Sequence, residues 1–237
     1  MARPVLASLR PPVPCLKSET GCAAFSSSGH YRWLLGRSWP TCAAHVAADP
    51  ARHGLIFCGL NPSTADASRD DPTLRRLSAF ARQWGYRQLV VVNLFALITP
   101  SPATLRRHQR PVGPANEAVL DHWLKKWSRC SHWDLWFGWG ANGCLRDRDR
   151  WLLDRVEALV VQRHKTGGMG AFCLGRTRAG HPRHPLYLPA SAQPQPWFAA
   201  ESPRIRHPVA MVPAGTCLLY TSPSPRDLST SRMPSSA

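Results

Sequence analysis

Acidic residues are scarce in this 237-residue chain: 14 aspartates and glutamates stand against 30 lysines and arginines, a formal charge of +16 at pH 7. Such a balance favours a polyanion or an anionic membrane surface as partner. No run approaches the ~18 consecutive apolar residues that a membrane span needs, so the chain reads as soluble and is not expected to insert in a membrane. No Cys-x-x-Cys pair is present, which excludes a zinc knuckle, and the cysteines are scattered, which argues against a disulfide framework. The first twenty residues lack an apolar core, so no secretory signal is expected, an organelle-targeting reading of the acid-poor start 1–17 stays open, and reduced thiols in the cytoplasm are expected. No internal repeat is visible, and 43% apolar residues suffice for one buried core.

Four apolar runs of strand length recur: 55–60, 89–95, 133–138 and 171–175. Segments of helical period lie between them. The first, 72–84, puts Leu74, Leu77, Ala81 and Trp84 on one face, with Asp71 as N-cap, Pro72 at the first helical position and Gly85 after the last turn. The second, 114–127, carries Ala115, Ala118, Val119 and Trp123. The third, 146–162, carries Leu152, Val156, Leu159 and Val160, and its alternating Arg146, Asp147, Arg148, Asp149 and Arg150 read as a salt-bridged helix start. Strands that are apolar throughout and alternate with helices predict an α/β fold: three α/β/α layers about a four-stranded, mainly parallel sheet. Residues 31–35 are expected to add an edge strand.

Ligands of such sheets bind outside the carboxyl ends of the strands. The loops that follow the four runs gather Asn61, Ser63, Thr64, Asp66, Asn93, Asn142, Thr177, His181, Arg183 and His184 there. Each could be a turn-former, but the context is densest at Asn61 and His181. Asp66, Asp70 or Asp71 with His181 or His184 offers a competing chemistry, a divalent metal or a general base acting on a phosphorylated small molecule. Because Asp71 already serves as a helix cap, no metal and no cofactor is expected. Of the ten tryptophans most read as core, which leaves Trp33 and Trp39 as candidates to stack on a base.

The motifs YRWLLGRSW, GLNPSTAD, DDPTLRR, WGY, VVVNLFA, VGPAN, WGANG and GHPRHPLYL make residues 24–189 similar to the bacterial family catalogued as domain of unknown function 1643. Four of them also resemble the uracil-DNA glycosylase superfamily. In that likeness FCGLNP matches the Gly-hydrophobic-Asn-Pro turn that closes the first strand of the mismatch-specific branch. The runs VVVNLFA, WGANG and GHPRHP match the second-strand asparagine segment, the third-strand turn and the His-Pro loop after the last strand. This second resemblance implies a glycosylase-like fold and hydrolysis of an N-glycosidic bond of a base flipped out of nucleic acid. It makes Asn61 the residue that orients water and His181 the partner of the departing base. Ser63, Thr64, Asp66, Asn93, Arg183 and His184 would line the substrate, Leu186 would be an apolar wedge, and Arg69, Arg75, Arg176 and Arg178 would meet phosphates. Arg183, where glycosylases carry a small residue, and the Ser-Thr-Ala-Asp that follows Pro62 depart from their pattern. Two other functions stay open: a hydrolase of a small nucleotide-like molecule, and a non-catalytic nucleic-acid-binding module. A monomer is expected.

The ends read differently. Residues 217–237, CLLYTSPSPRDLSTSRMPSSA, resemble translated sequencing-adapter read-through, with Leu228, Ser229 and Thr230 where a variable index would fall. On that expectation the tail is an artefact that replaces the natural C-terminus, and removing it lowers the charge only to +15, because Arg226 and Arg232 leave together with Asp227. Residues 1–23 are expected to be a disordered or mistranslated lead, 24–189 a single domain, and 190–216 an irregular extension.

Overall fold

The four apolar runs become the parallel core of a larger sheet. A computed structural model describes residues 16–17, 21–39 and 53–198. The chain divides into two units, 1–200 and 201–237, and every described residue lies in the first. The strands are β1 (Leu16–Lys17), β2 (Gly21–Phe25), β3 (Arg32–Ser38), β4 (Gly54–Gly59), β5 (Gln88–Asn93), β6 (Trp133–Phe137), β7 (Phe172–Cys173) and β8 (Gln195–Pro196). They form one sheet in the order β1-β2-β3-β5-β4-β6-β7-β8. Neighbours among β5, β4, β6 and β7 run parallel, while β1, β2 and β3 extend one side antiparallel and β8 the other.

The expected four-stranded sheet is therefore corrected to a mixed sheet of eight, with the four expected strands at its centre. The expected edge strand at 31–35 is also corrected: β3 lies inside the sheet, pairing β2 on one side and β5 on the other. Strand β1 and the first three residues of β2 fall within the expected disordered lead, and β8 within the expected irregular extension. The adapter-like tail lies outside the described residues.

Alternation within the strands explains why both faces are apolar. Leu55 and Phe57 of β4 pack with Leu74, Leu77 and Phe80 of α1 (Pro72–Gln83). Ile56 and Cys58 point the other way, to Val119, Trp123 and Trp127 of α3 (Asn116–Arg129) and to Leu152 and Val156 of α4 (Arg148–Lys165). A sheet covered on both sides needs side chains of both parities buried, which is the continuous apolar pattern of its strands. The short α2 (Pro102–Arg107), capped by the Ser101 hydroxyl, adds Leu105 to the α3/α4 side.

The helices start in two ways. Asp71 caps α1 as its sequence predicts, its Oδ1 accepting from the Leu74 amide at 2.7 Å with Pro72 in the first turn. Helices α3 and α4 have no side-chain cap. Left-handed residues precede them instead: Ala115 (φ 59°) before α3, and Arg146 (φ 56°) and Asp147 (φ 54°) before α4. These are the only non-glycine residues of positive φ among the described ones, and they set the directions in which the two helices leave the carboxyl edge of the sheet.

Candidate active site at the carboxyl edge

The first and second loops are joined by Asn61. Beyond the ends of β4 and β5 the Leu94 amide donates to the Gly59 carbonyl at 3.0 Å and the Phe95 amide to that of Leu60 at 2.9 Å. Asn61 Nδ2 then donates to the carbonyls of Thr99 at 2.7 Å, Pro62 at 3.0 Å and Leu97 at 3.3 Å. Both amide hydrogens are engaged by backbone, so the side chain is a rigid clip, and Oδ1 is the atom left to meet a water or a ligand. Gly59 is required beneath it, because a Cβ there would lie 2.8 Å from Asn93 Oδ1 and 3.0 Å from the Phe57 ring.

His181 sits on the fourth loop, which closes on itself. The Thr177 amide donates to the His181 carbonyl at 2.8 Å, the His181 amide to Thr177 Oγ1 at 3.1 Å, and the Arg183 amide to the Gly175 carbonyl at 2.9 Å. The Gly140 amide of the third loop donates to the Pro182 carbonyl at 2.9 Å, so the third and fourth loops are one unit. His181 Nδ1 lies 3.5 Å from Asp149 Oδ2, and both side chains are largely buried, at 20% and 13% exposure. Burial pushes the Asp149 carboxyl up, but the hydrogen bond from His181, the Arg150 amide and the nearby charges outweigh it and hold the group below the ordinary aspartate range. An ionised carboxylate against an imidazole fixes the orientation of the ring.

Asp149 escaped the sequence reading, which took it for one charge of a salt-bridged helix start. Its neighbours do pair, Arg148 with Glu117 at 2.6 Å and Arg150 with Asp147 at 3.6 Å. Only the left-handed turn at Arg146 and Asp147 aims the intervening carboxylate at the fourth loop. The usable signal was an acid in the first turn of the helix that follows a Gly-rich loop.

The other candidates separate into groups. His184 is a cap: its Nδ1 accepts from the Leu186 amide at 3.3 Å at the start of the short 3₁₀ turn Pro185–Tyr187. Burial lowers its pKa to about 4, against a smaller opposing pull from the Asp71 carboxylate, so the ring is neutral at pH 7. Asn93 ends β5 and is 4% exposed under Gly59 and the start of α3. Its expected place lining the substrate is corrected to the core, where its carbonyl, with that of Leu94, accepts from Asn116 Nδ2. Asp66 closes a turn, Oδ1 accepting from the amides of Ser68 and Arg69, and these bonds hold its carboxyl below the ordinary range.

Ser63 is half-buried, and Thr64 and Arg69 are exposed. Arg75 donates to the Asp70 carbonyl at 2.8 Å. The Arg176 guanidinium donates to the Trp197 carbonyl and stacks 3.9 Å over that indole. Arg178 and Arg183 are exposed on the fourth loop, and Leu186 is 42% exposed just after it. Neither tryptophan offered for stacking presents a free ring. Trp33 is buried and donates to the Pro114 carbonyl, while Trp39 donates to the Tyr86 carbonyl at 2.7 Å and carries Arg82 on its face. Of the competing metal constellation, Asp70 pairs with Arg37 and Asp71 caps α1. Among the described residues no group of three His, Cys, Asp or Glu could hold an ion, and no helix is long and apolar enough to cross a membrane. No hydrogen bond or ion pair links Asn61 directly to His181 among the described residues; they share the edge through the strands that carry them.

A family model described as "Protein of unknown function (DUF1643)" matches residues 32–186, which span β3, the whole parallel core and the site just described. The chain belongs to the DUF1643 family. No curated protein and no solved structure matches it. In this DUF1643 protein the matched region ends at Leu186, so it includes both histidines of the fourth loop and Asp149.

Proposed function

We propose that this DUF1643 protein hydrolyses the N-glycosidic bond of a base in nucleic acid, on a glycosylase-like core. The observation that carries the reading is the His181 imidazole held by the Asp149 carboxylate at the carboxyl edge, on a loop that also bears exposed Arg178 and Arg183. Supporting it, the four motifs of the glycosylase resemblance follow four neighbouring parallel strands, so their loops converge where α/β sheets take ligands.

In this mechanism His181 carries the acid role. As the bond between C1′ of the sugar and the base nitrogen breaks, its electron pair leaves with the base, and His181 Nε2–H donates to the base as negative charge grows there. Asp149 stabilises the imidazolium needed for that donation. A water that donates a hydrogen bond to Asn61 Oδ1 adds through its oxygen to C1′ and loses a proton to solvent, from which His181 regains the one it gave, so the products are the protonated base and an abasic sugar. The rigid amide of Asn61 places the water without reorganisation.

The test is a strand-cleavage screen of oligonucleotides that each carry one damaged or deaminated base, with alkali to reveal abasic sites. Cleavage of one of them by the wild-type chain and its loss in His181→Ala is the expected outcome. Equal cleavage by both proteins, or none across the panel, would remove the assignment.

A further inference from the structure

We propose that Tyr187 is a base-stacking residue which, with Leu186, forms an apolar knuckle that docks on the bases of a bound nucleic-acid strand. The inference rests on the nucleic-acid partner proposed above and is independent of the bond-cleavage step.

Tyr187 is 71% exposed and Leu186 42%, and they are the one adjacent pair among the large hydrophobic side chains exposed in the described residues. Their backbone is fixed. Pro185 opens the turn, the Leu186 amide is held by His184 Nδ1, and the amides of Tyr187 and Leu188 donate to the carbonyls of His184 at 3.1 Å and Pro185 at 3.3 Å. Buried Pro185 and Leu188 flank the pair as anchors, and Arg76 of α1 donates to the Leu188 carbonyl. The Tyr187 ring stands 5.8 Å from that of His184, tilted by 56°, which limits its motion from below while leaving its outer surface in water. An aromatic ring preset in this way loses little entropy on binding.

Charge decides what the knuckle meets. From 158 to 200 the chain contains no aspartate or glutamate, while Arg176, Arg178 and Arg183 lie on the loop just before the knuckle. Arg178 and Arg183 are exposed, so apolar and cationic groups share one rim. A nucleic-acid strand offers both complements, π faces for the ring and phosphates for the guanidinium groups.

Binding of labelled single-stranded and duplex oligonucleotides, followed by anisotropy over a salt series with the full chain, tests the idea. Tyr187→Ala should weaken binding about fivefold to a hundredfold at every salt concentration without changing the slope of log K against log salt, because stacking releases no counterions. Tyr187→Trp should retain affinity, and Arg183→Ala should reduce the slope by about one. A 2-aminopurine placed in the bound strand should be quenched by the wild-type chain and not by Tyr187→Ala. Wild-type affinity in Tyr187→Ala, or quenching that survives it, would overturn the knuckle while leaving the glycosidic reading in place. Loss of binding in Tyr187→Ala beside a silent cleavage screen would keep the knuckle and sink the enzyme, and failure of the wild-type chain to bind any oligonucleotide at low salt would overturn both.

Discussion

Replacing His184 with asparagine should flatten the acid side of the stability profile. His184 is neutral in the fold, its pKa pushed down to about 4 by burial, whereas in the unfolded chain it titrates near 6.5. Between those values the unfolded state binds the extra proton, so stability rises with pH across the window and is lost on going down from 6.5 towards 4. Linkage over that gap gives a loss of about 1.4 kcal/mol at pH 5.5 and about 2.5 kcal/mol at pH 4.5. The ring is partly exposed, and solvent screening trims these to about 1 and 2 kcal/mol. Asparagine is the informative replacement because its Oδ1 can accept from the Leu186 amide where Nδ1 now does, which keeps the cap of the 3₁₀ turn. Urea unfolding at pH 7.5, 5.5 and 4.5, with the m value held as a control, measures the difference between wild type and variant. His53 and His122, also held low by burial, fall in the same direction in both proteins and cancel in that difference. Should the two proteins lose stability in parallel down to pH 4.5, the neutral, buried assignment of His184 is wrong, and with it the account of how the fourth loop is held.

Other substitutions probe the rest of the frame. Arg163 is fully buried, donating to four backbone carbonyls and to Asp134 Oδ1 at 2.9 Å, so Arg163→Met, which takes the guanidinium from a buried carboxylate, should lower stability by about 3–5 kcal/mol, and adding Asp134→Asn should recover part of the loss in urea melts. Asn61→Ala should cost about 1–2 kcal/mol by stripping the carbonyls of Leu97 and Thr99 of their donor, visible in thermal melts before any activity is assayed. Asp149→Asn should reduce turnover about a hundredfold on whatever substrate the cleavage screen yields while the melting temperature moves little, and an unchanged rate would show that the carboxylate only anchors α4. Gly138→Ala should destabilise the third loop, because its Cβ would come within 2.5 Å of the Phe57 ring, and proteolysis within 138–147 would report it.

What could be read from the chain beforehand depended on how local its cause was. The start of α1 was legible because the cap, the proline and the apolar period all lie within a dozen residues. The parallel core was legible because burial on both faces leaves strands apolar throughout. Strand β2 was not, since Gly-Cys-Ala-Ala-Phe carries no β-branched residue and forms only against β3 and β1. Strand β8, a glutamine and a proline, is held by its neighbour β7 and shows no pattern of its own. The same distinction governs the site. Asn61 and His181 announce themselves through their own prolines and glycines. Asp149 acts on a histidine 32 positions away, and Arg176 is taken up by a tryptophan 21 positions on, so neither role has a local signature.

The strained helix starts bear on how rigidly the proposed site at this edge is held. A non-glycine residue held in the left-handed region costs of order 1–3 kcal/mol, and such residues persist only where surrounding bonds over-determine them. Those bonds are present here. Trp33 holds the Pro114 carbonyl just ahead of Ala115, and Arg146 donates to the carbonyls of His108 at 2.7 Å and Gln109 at 2.9 Å. Arg148 reaches the Leu94 carbonyl at 3.3 Å and Glu117 at 2.6 Å, so the first turns of α3 and α4 are bolted to each other and to the end of β5. A glycine at 115 or 147 would satisfy the same backbone with less strain, and Asp147, at the N-cap position of α4, makes no capping bond. The geometry the chain keeps puts Asn116 and Arg148 into the floor and Asp149 against His181. Strain is confined to the residues that orient the carboxyl edge, and the opposite edge of the sheet is free of it among the described residues, so the rigid groups stand where the proposed chemistry would need them.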